Sequence, residues 1–550
     1  MSRTTPAETP LGDAFHLYDT TLRDGAQGEG ISYSAADKLA VARLLDELGV
    51  GFIEGGWPGA LPKDTEFFAR AAHELDLRHA VLVAFGATRR PDTKAADDPQ
   101  VRALLDSGAP AVTLVAKSDR RHIERALRTD VDEACAMVSD TVALLVAEGR
   151  RVFLDAEHFF DGYAYDSDTS LRVLTAAMEA GADVAVLCDT NGGQLPLGLA
   201  DTVRDVIDKT GFRVGIHCQD DTSCAVANSV AAVQAGATHV QCTANGYGER
   251  AGNADLFATI GNLVTKLDMP VIPQERMTEL ARVSHALAEI ANIAPDTHQA
   301  YVGSSAFAHK AGLHASAIKV DPLLYNHIDP SVVGNDQRVL VTEMAGRASL
   351  ELKGRELGVD LAGQPEVLTN VVGKVKDLEA RGWSFEAADA SLELLLRDEL
   401  SQSTVDHTPF RLESYRVILD HRLDGEIVSE ATVKVQVAEE RVIATAEGNG
   451  PVHALDAALR KALRPHLSWL DSVELVDYKV RILTPGARHP VNGSDSQHGT
   501  DAVTRVLVVS ADGGQEWTTV GVHGNIVEAS WLALCDALAH KAMRLTQPVG

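Results

Sequence analysis

Two short segments of the chain carry ionisable and metal-binding side chains at spacings that suit catalysis. In the first, the apolar run 15–18 is followed closely by Arg23 and Asp24. In the second, His217 and Gln219 are two residues apart, so a strand would send both side chains to the same face. Because a guanidinium beside a carboxylate is costly to bury without a task, the first segment predicts a functional site.

The elements around these segments alternate between short apolar runs and longer amphipathic ones, from residue 14 to about residue 265. Eight such strand-helix units favour a TIM (β/α)8 barrel over a doubly wound sheet. The predicted strands are 15–18, 51–54, 80–85, 111–116, 152–157, 184–188, 213–217 and 239–243. Chemistry in this fold occurs at the carboxyl ends of the strands, where polar residues follow six of these runs.

The rest of the chain predicts two further domains. Helical patterns continue to about residue 400, interrupted by a Gly/His-rich stretch at 307–316, and a polar linker is predicted at 402–409. Two β-β-α halves follow, at 430–463 and 503–543, separated by a predicted mobile loop at 485–500. The predicted domains are a catalytic barrel, a helical linker region and a C-terminal regulatory domain, at 1–270, 271–401 and 402–550.

Composition excludes several classes of function. The 550 residues are 45% hydrophobic and 23% charged, as in an ordinary globular protein, and the formal net charge of −28 argues against nucleic acid or an anionic membrane as a partner. Six cysteines without a CxxC pair indicate free thiols in a reducing compartment, so we expect a cytoplasmic protein. Phosphate-binding and serine-esterase motifs are missing from the sequence.

The motifs resemble those of the Asp-Arg-Glu TIM-barrel metallolyases, the superfamily of the isopropylmalate and homocitrate synthases. The segments that carry this resemblance are Arg23-Asp24, the glycine-rich run 245–253 after the last predicted strand and the segment 307–314. Within the superfamily, the run 52–59 is similar to that of the citramalate synthases. The resemblance covers nearly the whole chain, including a C-terminal domain like the regulatory domain of isopropylmalate synthases.

This resemblance implies a divalent metal site formed by Asp24, His217, Gln219 and Asn253. The superfamily pattern at the seventh strand is His-x-His-Asn-Asp, whereas this chain has Gln219 at the second histidine position and Asp220 at the asparagine position. A glutamine carbonyl oxygen is a harder donor than imidazole, so Mg²⁺ or Mn²⁺ is expected rather than Zn²⁺. Whether Gln219 itself is a ligand stays open at this point.

The resemblance also implies roles for the residues around the metal. It makes Arg23 the stabiliser of a developing oxyanion and Glu157 the acid/base, while Gln27, Glu54 and Thr190 would bind substrate. Purely structural alternatives exist for four of these residues. Arg23 could merely pair with a neighbouring carboxylate, and Glu157 could form a salt bridge at the barrel rim. Thr190 could cap a helix, and Glu54 could simply fix the guanidinium of Arg23.

In the segment after the barrel, His309 is expected to bind substrate, and His314 and Tyr325 to act with acetyl-CoA and in proton transfer. A histidine suits that task because it titrates near neutrality. Without the resemblance, both histidines would be read as exposed structural residues. The family precedent further implies a homodimer, with a feedback amino acid, isoleucine or leucine, as a partner of the C-terminal domain.

The function implied is a Claisen-type condensation of pyruvate with acetyl-CoA and water, which yields citramalate and CoA for isoleucine biosynthesis. The first alternative is 2-isopropylmalate synthesis. Gln219 and Asp220 keep open a metal-poor homologue that only senses an amino acid, and an aldolase-type lyase is a third possibility. Homocitrate synthesis is disfavoured, because no added basic residue is seen for a second substrate carboxylate.

Overall fold

A computed structural model of the chain describes residues 9–401, 408–423, 425–483 and 502–546. Most of the predicted linker at 402–409 and the whole predicted loop at 485–500 lie outside these ranges. The described residues up to Phe307, together with Ile328–Asp336, form one compact unit; Ala308–His327 and the residues from Gln337 onward form a second. The domain boundaries at 270 and 401 stay predictions.

The first unit contains a closed barrel of eight parallel strands, in which β1 pairs with both β2 and β8. The strands are β1 His16–Asp19, β2 Phe52–Glu54, β3 Val81–Ala87, β4 Ala111–Lys117, β5 Arg151–Glu157, β6 Val184–Asp189, β7 Val214–Cys218 and β8 His239–Cys242. All eight predicted strands are present, so the predicted TIM barrel is confirmed.

Helices surround this barrel. They are α1 Ala35–Leu48, α2 Pro62–Glu74, α3 Pro99–Asp106, α4 Arg120–His122, α5 Val131–Ala147, α6 Phe159–Tyr165, α7 Ser167–Glu179, α8 Pro196–Thr210, α9 Ala225–Gln234, α10 Leu256–Leu267 and α11 Leu280–Ala291. Helix α1 shows how local sequence sets the bounds: Ser34 and Asp37 form a reciprocal capping box, and the helix ends at Gly49 with φ of 94°.

The barrel buries two apolar layers. Side chains that point inward, among them Tyr18, Phe52, Phe153 and Val186, fill its lower and middle interior. A larger core lies between the strands and the helices, built from residues such as Leu39, Val112 and Leu187. Because the interior is packed rather than hollow, polar side chains can meet a ligand only at an end of the barrel.

The second unit begins with a small parallel pair, β9 Ala308–His309 and β10 Arg338–Val339, and several helices. These helices are α12 Gly312–Ile318, α13 Arg347–Glu356, α14 Pro365–Ala380 and α15 Asp389–Ser401. Two antiparallel sheets follow, each covered by one helix: β11 Arg411–His421, β12 Ile427–Val437 and β13 Glu440–Gly448 with α16 Pro451–Leu463, then β14 Glu474–Leu483, β15 Val503–Ala511 and β16 Glu516–His523 with α17 Ile526–Thr546.

The internal repeat is therefore β-β-β-α in each half, one strand longer than the predicted β-β-α. The missed strands, β11 and β14, lie at the edges of their sheets and are mostly exposed, so their sequences lack the apolar alternation of β12 and β15. In the described part of the chain, the helices are too short or too polar to span a lipid bilayer.

Candidate active site

A cavity of about 550 Å³ opens at the carboxyl end of the barrel strands. Six of the predicted site residues line it: Arg23, Asp24, Gln27, Glu157, Thr190 and Gln219. Their strands are distant in sequence, and only closure of the barrel brings them together. The cavity is the size of a small-molecule site, with both apolar and polar walls.

The four predicted metal ligands meet at the base of this end of the barrel. His217 Nε2 lies 3.5 Å from Asp24 Oδ2, and Gln219 Nε2 lies 3.5 Å from His217 Nε2. Asn253 Nδ2 donates to Asp24 Oδ1 at 3.3 Å. An isolated bridge between Gln219 and Asn253 joins the two loops, so all four side chains are held in one buried group.

Two oxygen atoms in this group lack a hydrogen bond. Within the described residues, Gln219 Oε1 and Asn253 Oδ1 are buried without a partner. A buried amide oxygen without a partner costs free energy, and native proteins rarely leave one so unless a ligand takes it. With Asp24 and His217, these atoms form an oxygen-rich donor set that fits a hard divalent cation.

The ionisation of Asp24 depends on its burial and on the charges beside it. Burial opposes ionisation of Asp24, but Arg23 and then His217 outweigh it, so the pKa of Asp24 is lowered from its ordinary value. Asp24 is therefore a carboxylate at neutral pH. An ionised carboxylate is the form that a metal requires.

Arg23 is held in place from three sides. Its Nε donates to Glu54 Oε2 at 2.5 Å, its Nη1 donates to Asp24 Oδ2 at 2.6 Å, and its guanidinium lies 3.9 Å from the ring centre of Phe85. Nη2 is 3.7 Å from Asp155 Oδ2, beyond hydrogen-bonding distance. Burial works against the charge, but these carboxylates prevail and raise the pKa of Arg23.

Glu54 is fully buried, and both of its oxygens are engaged. Oε1 accepts from the Tyr18 hydroxyl at 2.5 Å, while Oε2 accepts from Thr20 and from Arg23. A carboxylate with its lone pairs so occupied is poorly placed to bind a substrate. The geometry supports the alternative in which Glu54 fixes the guanidinium of Arg23, in place of the substrate-binding role expected from the sequence.

Glu157 and Thr190 lie on the cavity wall, and both side chains have protein partners. Glu157 Oε2 pairs with Lys117 Nζ, a cation that the sequence analysis did not single out. Thr190 Oγ1 accepts a hydrogen bond of 2.8 Å from the backbone N–H of His158, which has a left-handed φ of 58°. Thr190 does not cap a helix, because Asp189 accepts the backbone N–H groups that follow this strand.

Asp220, which departs from the superfamily pattern, has a local structural role. Its Oδ1 accepts from the backbone N–H of Ala225 at 2.8 Å, at the first residue of α9. This bond satisfies a backbone N–H that has no partner within the helix. An asparagine oxygen could accept the same bond, so the change from asparagine to aspartate preserves the cap.

A second layer of polar residues, which was not predicted from the sequence, lies beneath the ligands. His217 Nδ1 is 2.8 Å from Gln241 Oε1, and Gln241 Nε2 donates to Asp155 Oδ1 at 2.8 Å. Burial, and secondly the charge of Glu54, raise the pKa of Asp155 to about 8. Asp155 and Gln241 each lie two positions before the last residue of a predicted strand, on the face that points into the barrel. This spacing is a signal by which both residues could have been found from the sequence.

His309, His314 and Tyr325 belong to the second unit, where they form one aromatic group. The rings of His314 and Tyr325 stack with centres 4.1 Å apart, and the His309 ring is 6.1 Å from that of His314. His309 Nε2 donates to Asn326 Oδ1 at 2.8 Å. The three predicted residues thus come together within this unit.

A different trio with metal-ligand chemistry, Asp13, His16 and Asp183, lies at the opposite, amino-terminal end of the barrel. Arg151 pairs with both of its carboxylates. Burial, followed by the charges of Arg213 and Arg151, lowers the pKa of His16 to about 2. Because guanidinium groups already neutralise its carboxylates, we interpret this trio as part of an ion-pair network at the amino-terminal end of the barrel.

Comparison with known proteins agrees with the fold. Residues 14–287 match the HMGL-like family model, residues 301–382 the homocitrate synthase post-HMGL domain-like model, and residues 386–542 the LeuA allosteric (dimerisation) domain model. A curated (R)-citramalate synthase from Streptomyces coelicolor is 59% identical over 98% of this chain and 98% of its own length. The chain belongs to the (R)-citramalate synthase family.

Other relatives place it within that family. A second (R)-citramalate synthase, from Synechocystis, is 46% identical over 96% of each chain. A 2-isopropylmalate synthase from Methanocaldococcus jannaschii is 27% identical over 96% of this chain and 95% of its own. The family prediction is confirmed, and membership of the citramalate synthases makes the chain an acyltransferase of the acetyl-CoA-condensing type.

Proposed function

We propose that the chain condenses pyruvate with acetyl-CoA and water to citramalate and CoA, with its chemistry at the carboxyl end of the barrel. The observation that carries this proposal is the meeting of Asp24, His217, Gln219 and Asn253 beside the charged Arg23. Metal-binding side chains and the fixed guanidinium of Arg23 thus lie beside the same cavity. This pairing is what a reaction that builds up negative charge on oxygen requires.

Asp24, His217, Gln219 and Asn253 would hold the divalent cation, and the two partnerless amide oxygens support this assignment. When bound, the cation would supply Lewis-acid polarisation of a ketone oxygen. One imidazole and three oxygen donors favour Mg²⁺ or Mn²⁺ over Zn²⁺.

Arg23 would stabilise the oxyanion that develops during condensation. Nε and Nη1 are bonded to carboxylates, so Nη2 retains hydrogen-bond donors for a substrate oxygen. Glu54 positions this guanidinium, and the ring of Phe85 supports one of its faces. A donor fixed before the reaction needs no reorganisation as charge appears.

Thr190 and Glu157 would act on the remaining groups of the substrates. Because Thr190 Oγ1 already accepts from His158, its hydroxyl proton is left to donate to a substrate carboxylate. Glu157 would exchange the proton of the reacting carbon or of water, with Lys117 orienting its carboxylate. Gln27, exposed on the same cavity, would contact substrate.

The second unit would supply acetyl-CoA recognition and regulation. We assign acetyl-CoA binding and proton transfer to His314 and Tyr325, with His309 binding substrate, as the resemblance implies; their stacking supports a shared role. The match to the LeuA allosteric (dimerisation) domain supports a homodimer regulated by isoleucine or leucine, in isoleucine biosynthesis. The six free cysteines support a cytoplasmic location.

Release of CoA thiol from acetyl-CoA tests the proposal. The full chain, stripped with EDTA and reloaded with Mn²⁺, should release CoA fastest with pyruvate in a panel of 2-oxo acids. Preference for 2-oxoisovalerate would instead indicate a 2-isopropylmalate synthase, and cleavage of 4-hydroxy-2-oxo acids without acetyl-CoA an aldolase. No CoA release with any 2-oxo acid would leave only an amino-acid sensor.

A further inference from the structure

A buried chain of two hydrogen bonds runs from His217 into the barrel interior. The Cα atoms of His217 and Gln241 are register partners on neighbouring strands β7 and β8, and Gln241 Oε1 faces His217 Nδ1 at 2.8 Å. The other end of the same amide, Nε2, donates to Asp155 Oδ1 on β5 at 2.8 Å. Gln241 is 1% and Asp155 3% exposed, so both side chains are shielded from solvent.

The chemistry of the three groups fixes the direction of this chain. An oxygen of the Asp155 carboxyl group accepts the hydrogen bond from the NH2 end of the Gln241 amide, so the carbonyl end faces His217. A carbonyl oxygen can only accept, so His217 Nδ1 must carry the proton. In neutral imidazole the lone pair then resides on Nε2, the atom 3.5 Å from Asp24.

We infer that Gln241 and Asp155 are positioning residues that hold His217 in the tautomer whose Nε2 can bind the divalent cation. This inference rests on the proposed metal site. It extends that site to two residues that neither line the cavity nor belong to the four proposed ligands. The arrangement has a specific value in this chain, since Gln219 replaces a second histidine. His217 is the sole imidazole among the four proposed ligands. If it adopted the other tautomer, no second imidazole could bind the cation in its place.

Paired substitutions at Gln241 separate this role from simple packing. Gln241→Met keeps the size of the side chain but removes the acceptor that faces His217. Gln241→Glu keeps an acceptor there, and the proton of a carboxylic acid at position 241 or 155 replaces the NH2 donor in the bond between these two side chains. Thr113→Val is the matched control, because Thr113 is a buried barrel residue that bonds to the Tyr18 hydroxyl and does not contact His217.

Calorimetric titration of the EDTA-stripped full chain with Mn²⁺ is the main measurement. Loss of such an outer partner typically lowers metal affinity about 10- to 100-fold, and we expect this for Gln241→Met. Gln241→Glu and Thr113→Val should bind Mn²⁺ nearly as the wild type does. CoA release by Gln241→Met should recover at saturating Mn²⁺, so that the Mn²⁺ activation constant changes more than kcat.

Equal Mn²⁺ affinity in Gln241→Met and the wild type would overturn the inference. It would also be overturned if Gln241→Met and Gln241→Glu lost affinity together with a matching fall in thermal unfolding temperature. If Gln241→Met does not fold, Asp155→Asn and Asp155→Leu give a second pair, in which only leucine should weaken Mn²⁺ binding. Failure of the wild type to bind Mn²⁺ would instead refute the proposed metal site itself.

Discussion

Arg23→Lys tests how the cavity stabilises negative charge. Replacement by alanine would leave Glu54, Asp24 and Asp155 facing one another without a cation, and breaking a buried ion pair costs about 3–5 kcal/mol in stability. Lysine keeps the charge, and its single ammonium can still pair with one of these carboxylates. It cannot also place a donor at the position of Nη2.

The size of the effect follows from the hydrogen bonds of this arginine. Nε and Nη1 bond to Glu54 and Asp24, which leaves Nη2 for the substrate. A hydrogen bond that involves a charged group contributes about 1.5–3 kcal/mol. If that bond forms only as the oxyanion develops, its loss lowers kcat about 10- to 150-fold and leaves the KM for pyruvate nearly unchanged.

Initial rates of CoA release, measured across a range of pyruvate concentrations at saturating Mn²⁺, give both constants. Arg120→Lys is the control, because Arg120 pairs with Glu124 and Asp166 outside the cavity, and its kcat should match the wild type. A rise in the KM for pyruvate equal to the fall in kcat would show that Arg23 binds the ground state and would refute the oxyanion role.

Three other substitutions probe separate parts of the molecule. Gln219→His restores the superfamily ligand and should preserve or strengthen metal binding and increase preference for Zn²⁺; weaker binding in calorimetry would show that Gln219 is misassigned. Glu157→Gln should lower kcat about 10²- to 10⁴-fold with an unchanged unfolding temperature; retention of kcat would exclude Glu157 as the acid/base. In the second unit, burial raises the pKa of Asp536 to about 7, although the Ser391 hydroxyl donates to it. Because the folded pKa lies above the unfolded value, this carboxyl contributes stability below about pH 4 that is lost as the pH rises through 7, up to about 4 kcal/mol. Asp536→Asn should therefore stabilise the protein more at pH 8 than at pH 5 in urea unfolding, and an equal effect at both pH values would contradict the shift.

The barrel could be predicted because its strands carry a simple signal. Each is a short apolar run, followed by a polar residue where the chain leaves the barrel, as Glu54 and Glu157 illustrate. Once eight such runs close into a cylinder, Asp24, which follows the first strand, and His217, on the seventh, lie at the same end of the barrel. The sequence pattern therefore predicts that the two residues share one end of the barrel, where their side chains are 3.5 Å apart.

The partners of these residues could not be predicted in the same way. Gln241 and Asp155 meet only because β5 and β8 face each other across the barrel interior, a relationship that no local pattern encodes. Lys117 likewise reaches Glu157 through register pairing of β4 with β5. The edge strand β11 was missed for a different reason, since most of its side chains are exposed and show no apolar period.

The proposed function depends on the binding of one divalent cation by Asp24, His217, Gln219 and Asn253. A crystal structure of the full chain with Mn²⁺, with the ion located by its anomalous scattering, tests this claim most directly. We expect a single strong anomalous peak bonded to Asp24, to His217 Nε2 and to the two amide oxygens. A peak at the opposite end of the barrel, beside Asp13 and Asp183, with none near His217, would contradict it.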